Sequence, residues 1–596
     1  MPMVGWFNPA QLLRIAMQAY RTSGVISLVD EREIQAVLAG TQEKPHDYSA
    51  KNELWFDYVA DLGDGFDPTY SVAWALAQKS LAIQGAGDLA RGEVLVMGGD
   101  EVYPAASRDN YENRLIGPYR AALPFADPPL DLYAIPGNHD WYDGLVSFLR
   151  LFCQPTWIGG WRTQQTRSYF VLKLPHGWWL WATDIQLERD IDRPQMEFFM
   201  NASAKLAKGD RVILCTAEPS WIQSAFGSPR PYKSLSFIER SLIESRDATL
   251  AITLTGDRHN YARFEAADNS KRQKINAGGG GAFLSATHDL PETLELAKGD
   301  RETEHFTRCG VYPDIATSRS GVLRTFRFVQ WNKWFGLMLA VLYMIFGFLV
   351  ESASRRDLLQ WPSQLWPNLD PIPVDSQHTW LRTAGATFME IAERRSTGDV
   401  IQALASVFVR SPAVLAFALF VIGVLIGFAM QSRRRQGTPD QVSALLFGGL
   451  HGVLHLLLGI TLLVAMTKLN AGTFGLRLGS TWAQVALALE MAIFGTVLGG
   501  VVMAVYLIVS NLVAGLHDQE VYSAQANPNF KNFLRMRIDA SGTLTIFPLG
   551  IDNAVTSWTL DPDAAPDAPW FRSSGEPVSI RLIEGPISYP ATSGTR

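Results

Sequence analysis

The chain has 596 residues, of which 47% are hydrophobic and 18% charged, a charged share low against about 25% in an average soluble protein. So many apolar residues exclude disorder as the main state, and a net charge of −6 leaves no basic footprint for a nucleic-acid partner. Three scattered cysteines, Cys153, Cys215 and Cys309, exclude a disulfide scaffold and suit a reducing compartment.

Residues 1–53 form an N-terminal extension. They lack the basic start, apolar centre and small-residue cleavage site of a signal peptide, and Leu12 to Tyr20 has the spacing of a short amphipathic helix. Residues 54–330 have the composition of a soluble α/β domain. The runs WFDYVAD, EVLVMGGD, DLYAIPGNHD, WWLWATDI, RVILCTAEP and TLAITLTGDRH predict strands buried on both faces. SVAWALAQKSLAIQ and PQMEFFMNASAKLAK carry helical spacing between them, the layout of a layered α/β fold.

Within residues 331–513 the pattern changes to that of a membrane domain. Four apolar stretches, Trp334–Val350, Pro412–Met430, Val442–Met466 and Val485–Val509, approach or exceed the roughly 20 residues that cross a bilayer core. A long loop, 351–411, separates the first two. Arg324, Arg327 and Lys333 before the first span, and Arg433, Arg434 and Arg435 between the second and third, predict cytoplasmic flanks. The large N-terminal domain and the C-terminus then both face the cytoplasm. Residues 514–596 read as a small soluble β segment: FKNFLRMRID, a Ser-Gly turn and TLTIFPLGID predict a hairpin, followed by a loose tail.

Nearly every predicted strand of the α/β domain ends in a hard oxygen donor or an imidazole. Asp61 and Asp64 follow the first, Asp100 the second, Asn138, His139 and Asp140 the third. Glu218 follows a later one, and Asp257 and His259 the last. Functional residues gather at the carboxyl ends of strands in open α/β sheets. Carboxylates, an amide oxygen and neutral imidazole favour Mn, Fe or Zn over softer metals. Two cations about 3.5–4 Å apart need a bridging ligand, for which Asp100 is the natural choice, and such a pair activates water and neutralises phosphate oxygens. Plainer roles stand beside these. Asp61 and Asp64 also suit capping of a helix starting at Asp67-Pro68, Asp100 and Asn138 suit tight turns, Glu218 suits a solvated loop, and His288 a structural position.

GGDEVY, GNHD and GDRH, in this order, resemble the calcineurin-like metallophosphoesterases over roughly Phe56 to Gly281. The AGGGG run after the last motif is similar to membrane-associated bacterial members. The resemblance implies a four-layer α/β/β/α sandwich with a site for two divalent metal ions at the strand ends. It implies Asp61 as the first Asp ligand, Asp100 as the bridge, Asn138 as the Asn ligand, His259 as the last His ligand, and His139 as the general acid that protonates the leaving oxygen. Three family histidines are replaced. Gly63 stands at one position, with Asp64 one residue on. Cys-Thr-Ala-Glu stands at another, with Glu218 nearby. Asp257 stands at the first His of the closing motif. The metal set expected is therefore Asp61, Asp64, Asp100, Asn138, Asp257 and His259, holding Mn, Fe or Zn, with Mg also compatible with the more oxygen-rich site.

Ionisable residues also fall in the apolar part. His451 and His455 share one face of the third span, and Glu490 lies in the fourth. Such groups are costly in a bilayer; a polar clamp, a proton path, a metal site and a lipid head-group site all fit. His517 and the Asn-Pro-Asn after it are placed to dock the C-terminal hairpin on the α/β domain.

The function expected is that of a phosphoesterase anchored in a bacterial inner membrane, with membrane lipids around it and a lipid-linked phosphate or a cyclic nucleotide among its substrates. Two other classes are carried. In one, the domain has lost turnover with its histidines and senses a phosphate ligand. In the other, His451, His455 and Glu490 serve a transporter or channel.

Overall fold

The computed structural model describes residues 1–15, 17, 45–185, 191–225, 232–268, 270–298, 302–355, 411–434, 441–476 and 480–591. Most of the expected loop 351–411 and the end of the expected N-terminal helix lie outside the described residues; residues 9–15 are helical. The chain divides into two compact units. The first comprises Met1–Trp6, Ala10–Gly321 and Ala526–Arg596, the second Phe7–Pro9 and Val322–Gln525.

The first unit is mixed α/β. In chain order its main strands are β1 (Leu54–Val59), β2 (Val94–Met97), β3 (Leu130–Ala134), β4 (Trp161–Thr163), β5 (Phe170–Lys173), β6 (Trp178–Ala182), β7 (Arg211–Cys215), β8 (Thr249–Thr255), β9 (Tyr261–Ala266), β10 (Gln273–Ala277), β11 (Thr293–Lys298), β12 (Glu302–Tyr312), β13 (Lys531–Ile538) and β14 (Leu544–Ile551). They lie in two nine-stranded sheets. One runs β14-β13-β1-β2-β3-β4, the other β5-β6-β7-β8-β10-β9-β12-β11, each completed by shorter strands. β1 to β4 are parallel neighbours, as are β6, β7, β8 and β10.

Period-two alternation assigns each strand residue to a side. Phe56 and Tyr58 of β1, Val94 and Val96 of β2, Leu180 and Ala182 of β6 and Ile252 and Leu254 of β8 share one buried cluster built from both sheets. The alternate residues Leu95 and Met97 join a second cluster with α1 (Phe66–Ala77). Trp179, Trp181, Val212 and Leu214 join a third with the helix Arg193–Ser203. All six predicted strands are present. The predicted helix SVAWALAQKSLAIQ is cut short: α1 ends at Ala77, and Ser80–Ile83 is a strand paired with Gly87–Ala90.

The segment expected as a separate C-terminal domain lies inside this unit. β13 pairs antiparallel with β1, Leu534 opposite Tyr58 and Ile538 opposite Leu54, and β14 pairs with β13. β1 thus has β2 on one side and a strand nearly 480 positions further along the chain on the other. Hydrogen-bond demand at an open sheet edge explains why a distant hairpin is captured there.

The second unit is helical: α2 (Lys333–Arg355), α3 (Pro412–Arg434), α4 (Gln441–Lys468) and α5 (Thr481–Ala514). All four are long and apolar enough to cross a membrane. Glycines permit close packing here: a Cβ on Gly448 would lie 2.6 Å from the Ile426 backbone, and one on Gly459 2.8 Å from Phe346. His517 packs within this unit, stacked on Phe428; the hairpin is held by strand pairing instead.

Candidate functional site

The strand ends converge on one oxygen. The Tyr103 hydroxyl lies 3.2 Å from Asp61 Oδ1, 3.1 Å from Asp100 Oδ2 and 2.9 Å from His259 Nε2. His259 Nε2 is 4.0 Å from Asp61 Oδ1. The Asp257 backbone N–H donates to Asp61 Oδ1 at 3.1 Å, and that of His139 to Asp100 Oδ1 at 2.9 Å. Asp61, Asp100, Tyr103 and His259 are all buried. A phenol has one proton, so it cannot satisfy both carboxylates at once. Tyr103 is the residue that sequence reasoning missed. Its signal was its place in GGDEVY, three positions after Asp100, where an aromatic reads equally well as core.

The backbone here is under constraint. Asp61, Asp100 and Asp257 have φ of 59°, 54° and 63°, left-handed values that cost free energy outside glycine and cluster at functional sites. Glycines let the chain close around the carboxylates. A Cβ on Gly137 would stand 2.1 Å from Asp100 Oδ1, and one on Gly278 2.1 Å from Asp61 Oδ2. That second oxygen, Asp61 Oδ2, is buried with no hydrogen-bond partner among the described residues.

The electrostatics are those of crowded acids. Burial, then Asp100 and Asp257, push the Asp61 carboxyl well above the usual range. Burial, then Asp140 and Asp257, do the same for Asp100. Among basic groups, Lys531 at the start of β13 is wholly buried, and its ammonium donates to Ala282 O. Burial lowers it to about 8 while Asp64 and Asp61 oppose the fall. Sequence reasoning gave Lys531 no role, because only the β13–β1 pairing brings it here.

Asp64 spends both carboxylate oxygens on backbone N–H groups, Val4 at 2.8 Å and Phe283 at 3.0 Å. Through these bonds it clasps the N-terminal segment, each oxygen keeping one further lone pair. That segment forms a wall of the site: Trp6 packs edge-on against Tyr103, His139 and Phe283 at ring separations of 5.7, 5.6 and 5.2 Å. The Asn138 amide nitrogen donates to Tyr142 at 3.0 Å, so its carbonyl oxygen is the end of the amide that could accept a cation. His139 Nδ1 lies 2.7 Å from Pro104 O; a carbonyl only accepts, so Nδ1 carries the hydrogen and Nε2 is the proton-exchanging atom. Glu218 bonds Gln223, and His288 bonds Ser318.

Among the described residues no three His, Cys, Asp or Glu side chains stand close enough together to enclose a metal ion. The donor set nonetheless fits a cation once Tyr103 is counted: carboxylates that repel one another, one orphaned carboxylate oxygen, a phenol and an imidazole meet at one point. A divalent ion reverses the carboxylates' mutual repulsion.

No family model matches the chain, and no curated protein matches it. Among solved structures it is similar to a purple acid phosphatase from yellow lupin (Lupinus luteus) seeds, at 14% identity over 45% of this chain and 49% of that one, with a TM-score of 0.29. It is also similar to PhoD, at 12% identity over 46% of this chain and 70% of that one, with a TM-score of 0.27. The chain spans about half the length of the lupin protein.

Proposed function

We propose that the chain is a metal-dependent phosphoesterase of metallophosphoesterase-like, four-layer fold, anchored by its four apolar helices. The observation that carries this reading is the meeting of Asp61, Asp100 and His259 on the Tyr103 oxygen. Asp61, Asp100, Tyr103 and His259 would hold one divalent ion, and Asn138 and Asp257, with Asp100 between, a second. Cations held there supply the positive charge that phosphate oxygens and an ionising water need. His139 delivers a proton from Nε2 to the leaving oxygen, its ring fixed by Pro104 O. Trp6, edge-on to both, shields the rings of Tyr103 and His139 from bulk water.

The substrate proposed is a phosphomonoester or phosphodiester, with a lipid-linked phosphate favoured by the apolar helices and a cyclic nucleotide as the alternative. Arg324, Arg327 and Lys333 beside α2 favour a cytoplasmic catalytic unit in a bacterial inner membrane. A second reading, a phosphate sensor without turnover, is favoured by the replaced histidines at Gly63 and Asp257 and by the commitment of Asp64 to backbone.

Elemental analysis of the purified full chain, with hydrolysis of aryl phosphomonoesters and phosphodiesters in added Mn, tests both. Bound metal with turnover that Asp100→Asn abolishes supports the enzyme. Bound metal without turnover supports the sensor, and a chain that binds no divalent metal overturns both.

A further inference from the structure

Just before α2 the chain makes a 3₁₀ helix, Val322–Arg327, and then a single turn, Phe328–Trp331. A 3₁₀ helix has three residues per turn, so residues three apart stand in line. In an α-helix they diverge by about 60°. The six residues of Val322–Arg327 therefore sort into three straight rows. Val322 and Thr325 form the first and are buried, as is Phe328 one position past its end. Leu323 and Phe326 form the second and are 50% and 59% exposed. Arg324 and Arg327 form the third, which is exposed as well.

The buried row fixes the direction in which the other two face. Thr325 Oγ1 donates to Val521 O at 2.9 Å and accepts from Gln525 Nε2 at 3.0 Å. Asn332, just past the single turn, donates to Ala524 O at 2.9 Å. All these groups belong to the helical unit, and the 3₁₀ helix cannot roll without breaking the bonds. Both exposed rows run on into the first turn of α2, where Lys333 is exposed and Trp334 is 63% exposed. From there Leu337, Val341 and Phe348 continue an exposed apolar stripe along one face of α2. Among the described residues no carboxylate pairs with Arg324, Arg327 or Lys333.

Water suits half of this face. It solvates the cations, but it leaves Leu323, Phe326 and Trp334 without apolar contacts. A bilayer boundary serves both rows at the depth where an apolar helix enters: acyl chains meet the apolar row and the indole, and head groups meet the cations. We propose that the segment 322–334 is a docking surface for anionic phospholipid. Leu323 and Phe326 enter the acyl boundary, and Arg324, Arg327 and Lys333 reach back to the head-group phosphates. Zwitterionic lipids carry the same phosphate but cancel its charge with an ammonium, so the surface selects lipids of net negative charge. The proposal goes beyond phosphoester hydrolysis. It rests on α2 crossing a membrane and not on the metal site.

The test places a fluorescent label beside the surface in the full chain. Cys309→Ser leaves the two buried cysteines, Cys153 and Cys215, and Gln330→Cys, at an exposed position, takes a nitrobenzoxadiazole dye. The labelled chain is reconstituted in phosphatidylcholine vesicles. A small fraction of the lipid carries a nitroxide quencher on its acyl chain, either as phosphatidylglycerol or as phosphatidylcholine. At equal mole fraction the phosphatidylglycerol probe is expected to quench at least about threefold more than the phosphatidylcholine probe. Arg324→Gln/Arg327→Gln is expected to bring that ratio close to one. Raising the salt to about 1 M, where the Debye length is about 3 Å, should do the same in the parent chain; it carries the test alone if the double variant does not fold. Equal quenching by the two probes in the parent chain overturns the proposal, as does quenching by neither. A ratio that survives salt, or that persists in the folded double variant, also overturns it.

Discussion

Arg535 of β13 is wholly buried and faces Asp57 of β1 in register. Its Nε donates to Asp57 Oδ1 at 2.8 Å and its Nη2 to Oδ2 at 3.0 Å. The guanidinium also reaches Leu76 O and Leu89 O, each at 3.4 Å. Removing one partner of such a buried pair leaves an uncompensated charge, which costs about 3–5 kcal/mol. Asp57→Leu and Arg535→Met should each lose about that much, a fall of roughly 6–10 °C in the melting of the α/β unit. Asp57→Leu/Arg535→Met removes both charges and should come within about 2 kcal/mol of the parent, giving a coupling energy of about 3 kcal/mol or more in the cycle. Heating the full chain in detergent, followed by near-ultraviolet circular dichroism, reads the α/β unit through its packed tryptophans. A loss under about 1 kcal/mol in both single variants, or a double variant as damaged as the sum of the two, would refute the pair as the clamp that seats β13 beside β1.

Tyr103→Phe should reduce metal occupancy, read by elemental analysis, by more than the roughly 10–100-fold typical of an outer partner of a metal ligand; unchanged occupancy would show the phenol to be mere packing. Gly137→Ala should likewise lose metal, because its Cβ would collide with Asp100 Oδ1, while strand content measured by circular dichroism stays the same. His139→Ala should keep its metal yet lose about 10²–10⁴ in kcat on alkyl phosphates, and far less on nitrophenyl esters, whose leaving group needs no proton; equal losses on both would contradict the general-acid role. Burial holds the Asp64 carboxyl at about 6, above its ordinary 3.8. The metal-free folded chain then binds a proton more readily than the unfolded chain between those values, so this group makes stability rise as pH falls from about 6 to about 4. Asp64→Asn should remove up to about 3 kcal/mol of that slope, measured as the difference in melting between the two chains at pH 4 and pH 6.

The residues that meet at the Tyr103 oxygen, Asp61, Asp100 and His259, were legible as strand endings that local pattern marks. Asp61, Asp100, Asn138, Asp257 and His259 each follow an apolar run, and the strand that such a run forms carries its last residues to one rim. The apolar helices announced themselves by length alone. What stayed hidden depends on pairing across the chain. Lys531 opens a hairpin strand that looks solvated until β1 buries it. Val4 and Trp6 belong to a terminus with no local structure to betray them, and reach the site through Asp64 and edge-on ring contacts. The overlong helix at residues 71–84 failed for a local reason: a turn at residues 84–86 lets Ser80–Ile83 fold back as a hairpin instead of continuing α1.

One sheet of the α/β unit is sewn from both sides of the helical segment Val322–Gln525. A ribosome must therefore complete and release every apolar helix before β1 meets its second neighbour. Until then that strand waits with half its amides unsatisfied, open to any passing chain. Completion of this sheet is thereby deferred until β13 has been made. A fragment stopped short of Lys531 is expected to accumulate as insoluble material, not as a smaller folded unit.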